Sequence, residues 1–225
     1  NRGVKMRLYL VRHAQAESNV GVYTGKDSLL TKTGVEQSKR LGLYFKTRSV
    51  KYIYCSKMKR AIDTLKEMLP YLQGIPINYT NTIDERSKGI YEHNREAFKK
   101  AVLESGQKDE MFRPPKGENL ADVEHRAQRF LDLLKDKHKK DTILVVGHGM
   151  FLRVLINRIF KFHIKEIQYY ELHNAGVSSF VFDKNFKVQD FEISDYKHLI
   201  KYSSYPREIY EKPFFSTKSK IEGLR

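Results

Sequence analysis

The chain has 225 residues, 40% of them apolar and 12% aromatic, with a formal net charge of +15 and a single cysteine, Cys55. That size suits one α/β domain with a sizeable core, while a lone cysteine excludes an intrachain disulfide and a cysteine-built zinc site, and no apolar run reaches bilayer length. The charge draws anions, and fits phosphorylated substrates, nucleic acid or an acidic membrane surface equally, or serves solubility alone.

The opening stretch NRGVKMRLYLV lacks the pattern of a secretory signal, which together with the lone cysteine gives the expectation of a cytoplasmic protein. Leu8 to Val11, Tyr52 to Tyr54 and Ile143 to Val146 are short apolar runs, each followed by polar or glycine punctuation and then a helical pattern. Such alternation predicts an α/β fold with a mainly parallel sheet. The first helix is expected to begin near Thr33, where Thr33 and Glu36 have capping-box spacing, with Val35, Leu41 and Phe45 on its inner face. Ala61, Leu65 and Leu69 mark the inner face of the second, and Pro70 its end.

Residues 93–118 are charged, aperiodic at their end and carry Pro114-Pro115, which reads as an excursion over one face. Leu120, Val123, Ala127, Phe130, Leu131 and Leu134 make the clearest amphipathic stripe. A helix from Phe151 to Phe160, apolar almost all round, is expected to be central. Val177 to Phe182 and Phe186 to Ile193 predict a closing hairpin around Asp183-Lys184-Asn185. The domain is thus read as residues 1–200, followed by a basic, aromatic tail at 201–225 without a core-forming pattern.

His13 and His148 each directly follow an apolar run. In open α/β sheets the carboxyl ends of strands line the ligand crevice. Ser56 ends another such run, and Arg60 falls one turn into the next helix, from where it can point back to the same edge. Arg12, Arg60, His13 and His148 would then surround one spot. Arginine forks match phosphate oxygens, and a neutral imidazole is a competent nucleophile near pH 7. Glu85 supplies a carboxyl group able to protonate a leaving oxygen and later activate water. The arginines beside these histidines argue against a metal at the same spot. The remaining histidines (His93, His125, His138, His163, His173 and His198) read as ordinary packing or surface residues, with His173 placed near the site by its neighbour Asn174, and Lys135 to Lys140 as a solvated helix end.

The run LVRHAQAESN resembles the opening signature of the histidine phosphatase, or phosphoglycerate mutase-like, superfamily. Six further blocks follow in order: Thr24-Gly25; Asp27 to Thr31 with Gly34-Val35-Glu36-Gln37; Ser56 with Arg60-Ala61 and Thr64; Asp84-Glu85-Arg86 with Gly89; Pro115 to Glu118; and Gly147-His148-Gly149 ahead of Asn174 to Ser178. The resemblance covers roughly residues 6 to 200. It implies a three-layer α/β/α sandwich and a metal-independent, cofactor-free phosphoryl transfer from a small phosphorylated substrate. His13 would be the nucleophile, Arg12, Arg60 and His148 the phosphate pocket, and Glu85 the acid and base. Asn19, Thr24, Gly25 and Gly149 would line the pocket.

The chain departs from the mutases of this family, which carry an adjacent arginine pair in a longer insertion and a tyrosine where Lys88 stands. Phosphomonoester hydrolysis is therefore expected over phosphoglycerate mutation. A polyanion- or RNA-binding module using the basic surface and tail is the alternative from another class. No feature of the sequence addresses the oligomeric state.

Overall fold

In the computed structural model, residues 6–22, 25–162 and 171–200 are described. Six strands form one sheet in the order β3-β2-β4-β1-β5-β6. They are β1 (Met6–Arg12), β2 (Tyr52–Ser56), β3 (Ile77–Thr80), β4 (Thr142–Gly147), β5 (Val177–Phe182) and β6 (Val188–Asp195). β1, β2, β3 and β4 run parallel to their neighbours among themselves, while β5 and β6 are antiparallel additions at one side.

The long apolar runs of β1 and β4 follow from burial on both faces. Leu8, Leu10, Ile143 and Val145 point to one side, where α4 (Leu120–Lys137) and α5 (Gly149–Phe160) cover them. Tyr9, Val11, Leu144 and Val146 point to the other, against α1 (Lys32–Phe45), α2 (Lys59–Met68) and the short α6 (Lys197–Ile200). This is the expected three-layer sandwich with a mainly parallel centre. The α4 stripe is buried at all six expected positions, Leu120 through Leu134. Among the described residues no helix is long and apolar enough to cross a membrane.

Four local expectations are corrected. The cap of α1 is Thr31, whose hydroxyl accepts the Gly34 N–H at 3.0 Å, and Thr33 lies inside the helix. Thr31 wins because it also donates to Gln15 Oε1 at 2.8 Å, fixing it against the loop after His13. Val35 is only half-buried: the inner face of the first turns is Gly34, Gln37 and Ser38, because it meets that loop and not the apolar core. Gly34 must lack a side chain here, since a Cβ would stand 1.9 Å from the Gln15 carbonyl oxygen. On α2, Met68 takes the inner position expected of Leu69, which instead opens a 3-10 turn with Pro70. The second hairpin strand starts at Val188, since Phe186 belongs to the turn with φ +60°.

Besides the one-turn α6, two elements escaped the sequence reading. β3 is an edge strand of four residues with two exposed. Within 93–118 lies a helix, α3 (Arg95–Glu104), capped by Asn94 and burying only Phe98. Its stripe is too thin to register as periodic. The 201–225 tail, Thr24 and His163 lie outside the described residues.

Candidate functional site

Strand register decides the site. Arg12 pairs with Gly147 across β1 and β4, so His13 and His148 emerge side by side at the same sheet edge, and their rings lie 5.1 Å apart. β2 ends beside them at Ser56, and the first turn of α2 returns Arg60 to the edge. There the Arg60 Nε–H donates to His13 Nε2 at 3.1 Å, its Nη1 to the Gly25 carbonyl at 3.2 Å and its Nη2 to Met58 Sδ at 3.5 Å.

His13 is pinned at both ends. Its backbone N–H donates to the Gly147 carbonyl at 2.9 Å, and its ring Nδ1 lies 2.8 Å from the Ala14 carbonyl oxygen. A carbonyl only accepts, so Nδ1 carries the proton and Nε2 keeps its lone pair. Burial, then the Arg60 and Arg12 charges, hold His13 well below the usual histidine range. At neutral pH the ring is therefore uncharged, the form a nucleophile needs.

Arg12 packs on the start of α5: a Cβ on Gly149 would stand 3.5 Å from its Nε. Its Nη1 donates to the Leu172 carbonyl at 2.6 Å, while Nε is buried with no partner among the described residues. Glu85 sits at the same helix end. Its carboxylate accepts from the N–H groups of Met150 at 3.1 Å, Phe151 at 3.2 Å and Arg86 at 3.0 Å. It is also the leading favourable charge for both Arg12 and Arg60. His148 is fully buried; its Nε2 lies 2.7 Å from Ser56 Oγ.

The structure thus brings together His13, Arg12, Arg60, His148, Glu85, Gly25 and Gly149. Asn19 is exposed and reaches the cluster indirectly: its Oδ1 accepts from Asn174 Nδ2 at 3.1 Å, and the same Nδ2 donates to the His13 carbonyl at 3.0 Å. The positioning partners are what sequence reasoning passed over. Asn174 is one. Thr64 is another: it accepts the Ala14 N–H at 3.0 Å and donates to the Arg60 carbonyl at 2.7 Å, tying both segments together. His93, read as ordinary, places its ring where a Gly25 side chain would be, with Cε1 2.5 Å from the ideal Cβ. His138 does pack away from the site, between Tyr54 and Asp141.

Beside Glu85 opens a cavity of about 460 Å³ lined by Arg86, Lys88, Arg95, Phe98, Lys99 and Met150. The 93–118 segment supplies its outer wall. No group of three or more metal-ligating side chains is arranged around an ion site among the described residues.

The sequence profile of the histidine phosphatase superfamily (branch 1) matches residues 8–191. The chain belongs to this superfamily. An adenosylcobalamin/alpha-ribazole phosphatase of Escherichia coli is 29% identical over 161 residues, covering 68% of this chain and 79% of its own. A 2,3-bisphosphoglycerate-dependent phosphoglycerate mutase of Treponema denticola is 30% identical, with 81% and 90% covered. Among solved structures, Bacillus stearothermophilus YhfR superposes with a TM-score of 0.73 at 25% identity over 86% of this chain and 99% of that one. This histidine phosphatase superfamily member is accordingly an enzyme, with relatives named both phosphatase and mutase.

Proposed function

We propose that the protein hydrolyses phosphomonoesters through a phosphohistidine on His13, without a metal. The observation that carries this reading is the His13 environment: a neutral imidazole with Nδ1 pinned to a carbonyl, Nε2 facing Arg60 and the Arg12 charge nearby.

The phosphoryl group of the substrate sits among Arg12, Arg60 and His148. To bind it, the Arg60 Nε–H turns from His13 Nε2 to a phosphoryl oxygen, which frees the lone pair. Nε2 attacks phosphorus, the N–P bond forms and the ester P–O bond breaks. The arginines hold the charge spread over the equatorial oxygens. The Glu85 carboxylate takes a proton from the entering phosphate monoanion and delivers it to the departing alkoxide. It then takes a proton from the water that attacks phosphorus, the N–P bond breaks, and phosphate leaves with His13 restored. Glu85 borders both the arginines and the cavity, which suits a group that must meet the leaving oxygen.

The cavity supports hydrolysis over mutation. A mutase must hold a bisphosphorylated intermediate against water while it turns. Here two arginines of the region are committed to the protein: Arg86 to Asp109, Phe112 and Glu118, and Arg113 to Asp122 at 2.6 Å. Arg95 also lines the cavity, without a second arginine adjacent to it in sequence, and the other facing cations, Lys88 and Lys99, are point charges without fork geometry. The volume suits a leaving group larger than a three-carbon acid, with an anionic end toward these lysines and carbon against Phe98 and Met150.

The test is rapid quenching with ³²P-labelled p-nitrophenyl phosphate in EDTA. Acid-labile, base-stable label on His13, followed by free phosphate, is expected. A His13→Ala protein with near-normal turnover would overturn the reading. Fast conversion of 3-phosphoglycerate to 2-phosphoglycerate with little phosphate release would replace hydrolase by mutase.

A further inference from the structure

We propose that Ser56 and Asp84 are positioning residues that lock His148 as its Nε2–H form, so that Nδ1 is the atom it offers to the phosphoryl group. The proposal rests on the phosphoryl-transfer reading above for its function, and on hydrogen-bond accounting for its geometry.

Ser56 is the last residue of β2 and, like His148, fully buried. Its Oγ has three neighbours at hydrogen-bond distance: Asp84 Oδ1 at 2.6 Å, His148 Nε2 at 2.7 Å and the Met58 N–H at 3.1 Å. A hydroxyl has one proton to give and two lone pairs. Met58 N–H occupies one lone pair. Asp84 Oδ1 also accepts the Lys57 N–H at 3.2 Å, so it acts as an acceptor, and 2.6 Å is the spacing of a hydroxyl donating to a carboxylate. The Ser56 proton therefore goes to Asp84. Only one role remains for His148 Nε2: it must donate, and so must carry the hydrogen.

That leaves Nδ1. It is buried and has no partner among the described residues, a costly state for a polar atom inside a protein. It lies in the same cluster as Arg12, Arg60 and His13, where the phosphoryl group is placed. His13 shows the opposite arrangement, with Nδ1–H held by the Ala14 carbonyl and Nε2 left bare. The fold thus sets two neighbouring histidines in opposite tautomers. One presents a lone pair to phosphorus; the other presents Nδ1 to a phosphoryl oxygen.

As a lone pair, Nδ1 would repel that oxygen. As N–H it would bind it, so His148 takes one proton from solvent when the dianion arrives. Burial opposes that proton first, and the titratable groups facing the ring are Arg60 of α2, the neutral His13 and Arg12 at the end of β1, and Arg126 of α4. The arginines oppose a further positive charge until the phosphoryl dianion offsets them. Asp84, through Ser56, is the anion on the other side of the ring. A purely structural Ser56, serving only the turn at Met58, would leave the His148 tautomer and its ligand response untouched.

The experiment is ¹⁵N histidine NMR of the full-length protein, with and without orthovanadate, on wild type, Ser56→Ala, Ser56→Thr and Asp84→Asn. The wild type should show His148 protonated at Nε2 and His13 at Nδ1, with His148 becoming doubly protonated when vanadate binds. Ser56→Ala should lose the Nε2–H preference and drop kcat/KM about 10- to 100-fold, while Ser56→Thr, which keeps the hydroxyl, should stay within about threefold of wild type. Asp84→Asn should keep the tautomer, since its amide oxygen still accepts, and lose part of the vanadate response. A wild-type His148 protonated at Nδ1 would overturn the proposal even if Ser56→Ala fails to fold. So would a folded Ser56→Ala with unchanged tautomer and kcat/KM. Absence of any phosphatase or mutase turnover in the wild type would defeat the functional reading instead, and leave the tautomer result standing.

Discussion

Replacing Arg86 with methionine should release the wall of the cavity beside Glu85. Arg86 is 8% exposed and stitches three points of the excursion to the segment that carries Glu85. Its Nε–H donates to the Glu118 carbonyl at 2.8 Å, and Nη2 donates to the Asp109 and Phe112 carbonyls, each at 2.8 Å. Nη1 pairs with the Asp109 carboxylate at 2.7 Å, but that group is 58% exposed, so the ion pair itself adds little. Methionine keeps the apolar stem and removes every donor. Three carbonyls lose their partner at roughly 1 kcal/mol each, or about 3 kcal/mol together. Within α3 only Phe98 is buried, so the segment can open without unfolding the sheet. The loss should therefore appear locally. Hydrogen exchange at the amides of α3 should accelerate up to about 10²-fold, the equivalent of 3 kcal/mol, while amides of β1, β2 and β4 keep their protection. KM for a phosphomonoester with a bulky anionic leaving group should rise more than kcat falls. Unchanged exchange across α3 would refute the reasoning. Faster exchange spread evenly over the sheet would do so too, since it would make Arg86 a determinant of global stability.

Two further outcomes follow from the site and its surroundings. Glu85→Gln should slow hydrolysis of sugar phosphates by about 10²- to 10⁴-fold, the usual worth of a positioned acid, and p-nitrophenyl phosphate far less, because nitrophenolate leaves with little protonation; equal losses on both would contradict the acid role. His198 on α6 is held down to about 4, first by burial, so the folded state keeps it neutral while the unfolded chain binds a proton below about 6.5. Its stabilising contribution is present above pH 6.5 and is lost as pH falls toward 4. Between pH 7.5 and 5.0 this group should cost about 1–2 kcal/mol after allowing for its partial exposure. Urea unfolding of His198→Gln at both pH values should show a pH dependence weaker by that amount, and an unchanged dependence would show that His198 is solvated in the folded state.

The layers are legible in the order of residues. β1 and β4 are buried on both faces, so their runs are apolar without alternation, and α4 packs one face on the core, so its stripe is strict. These are local patterns created by one-sided or two-sided burial, and they survive in a bare string of residues. The types at the candidate site were equally visible, because His13 and His148 each follow a strand directly and Arg60 stands one helical turn past Ser56.

Tertiary structure alone decided the rest. β3 pairs on one side only, with β2, and its exposed residues erase any apolar signal. α3 is held through Phe98, over whose ring Arg86 lies at 5.7 Å, and through the following loop whose carbonyls Arg86 binds, not by a stripe of its own. The choice of Thr31 over Thr33 as a cap turned on Gln15, sixteen residues away. Ser56, Asp84 and Asn174 are visible in the sequence as residue types, but their partners lie 28 to 161 residues distant. Hydrogen bonds of that span fix which ring nitrogen carries a proton. No period or composition encodes them, because they exist only once the sheet has set its register and brought the strand ends together.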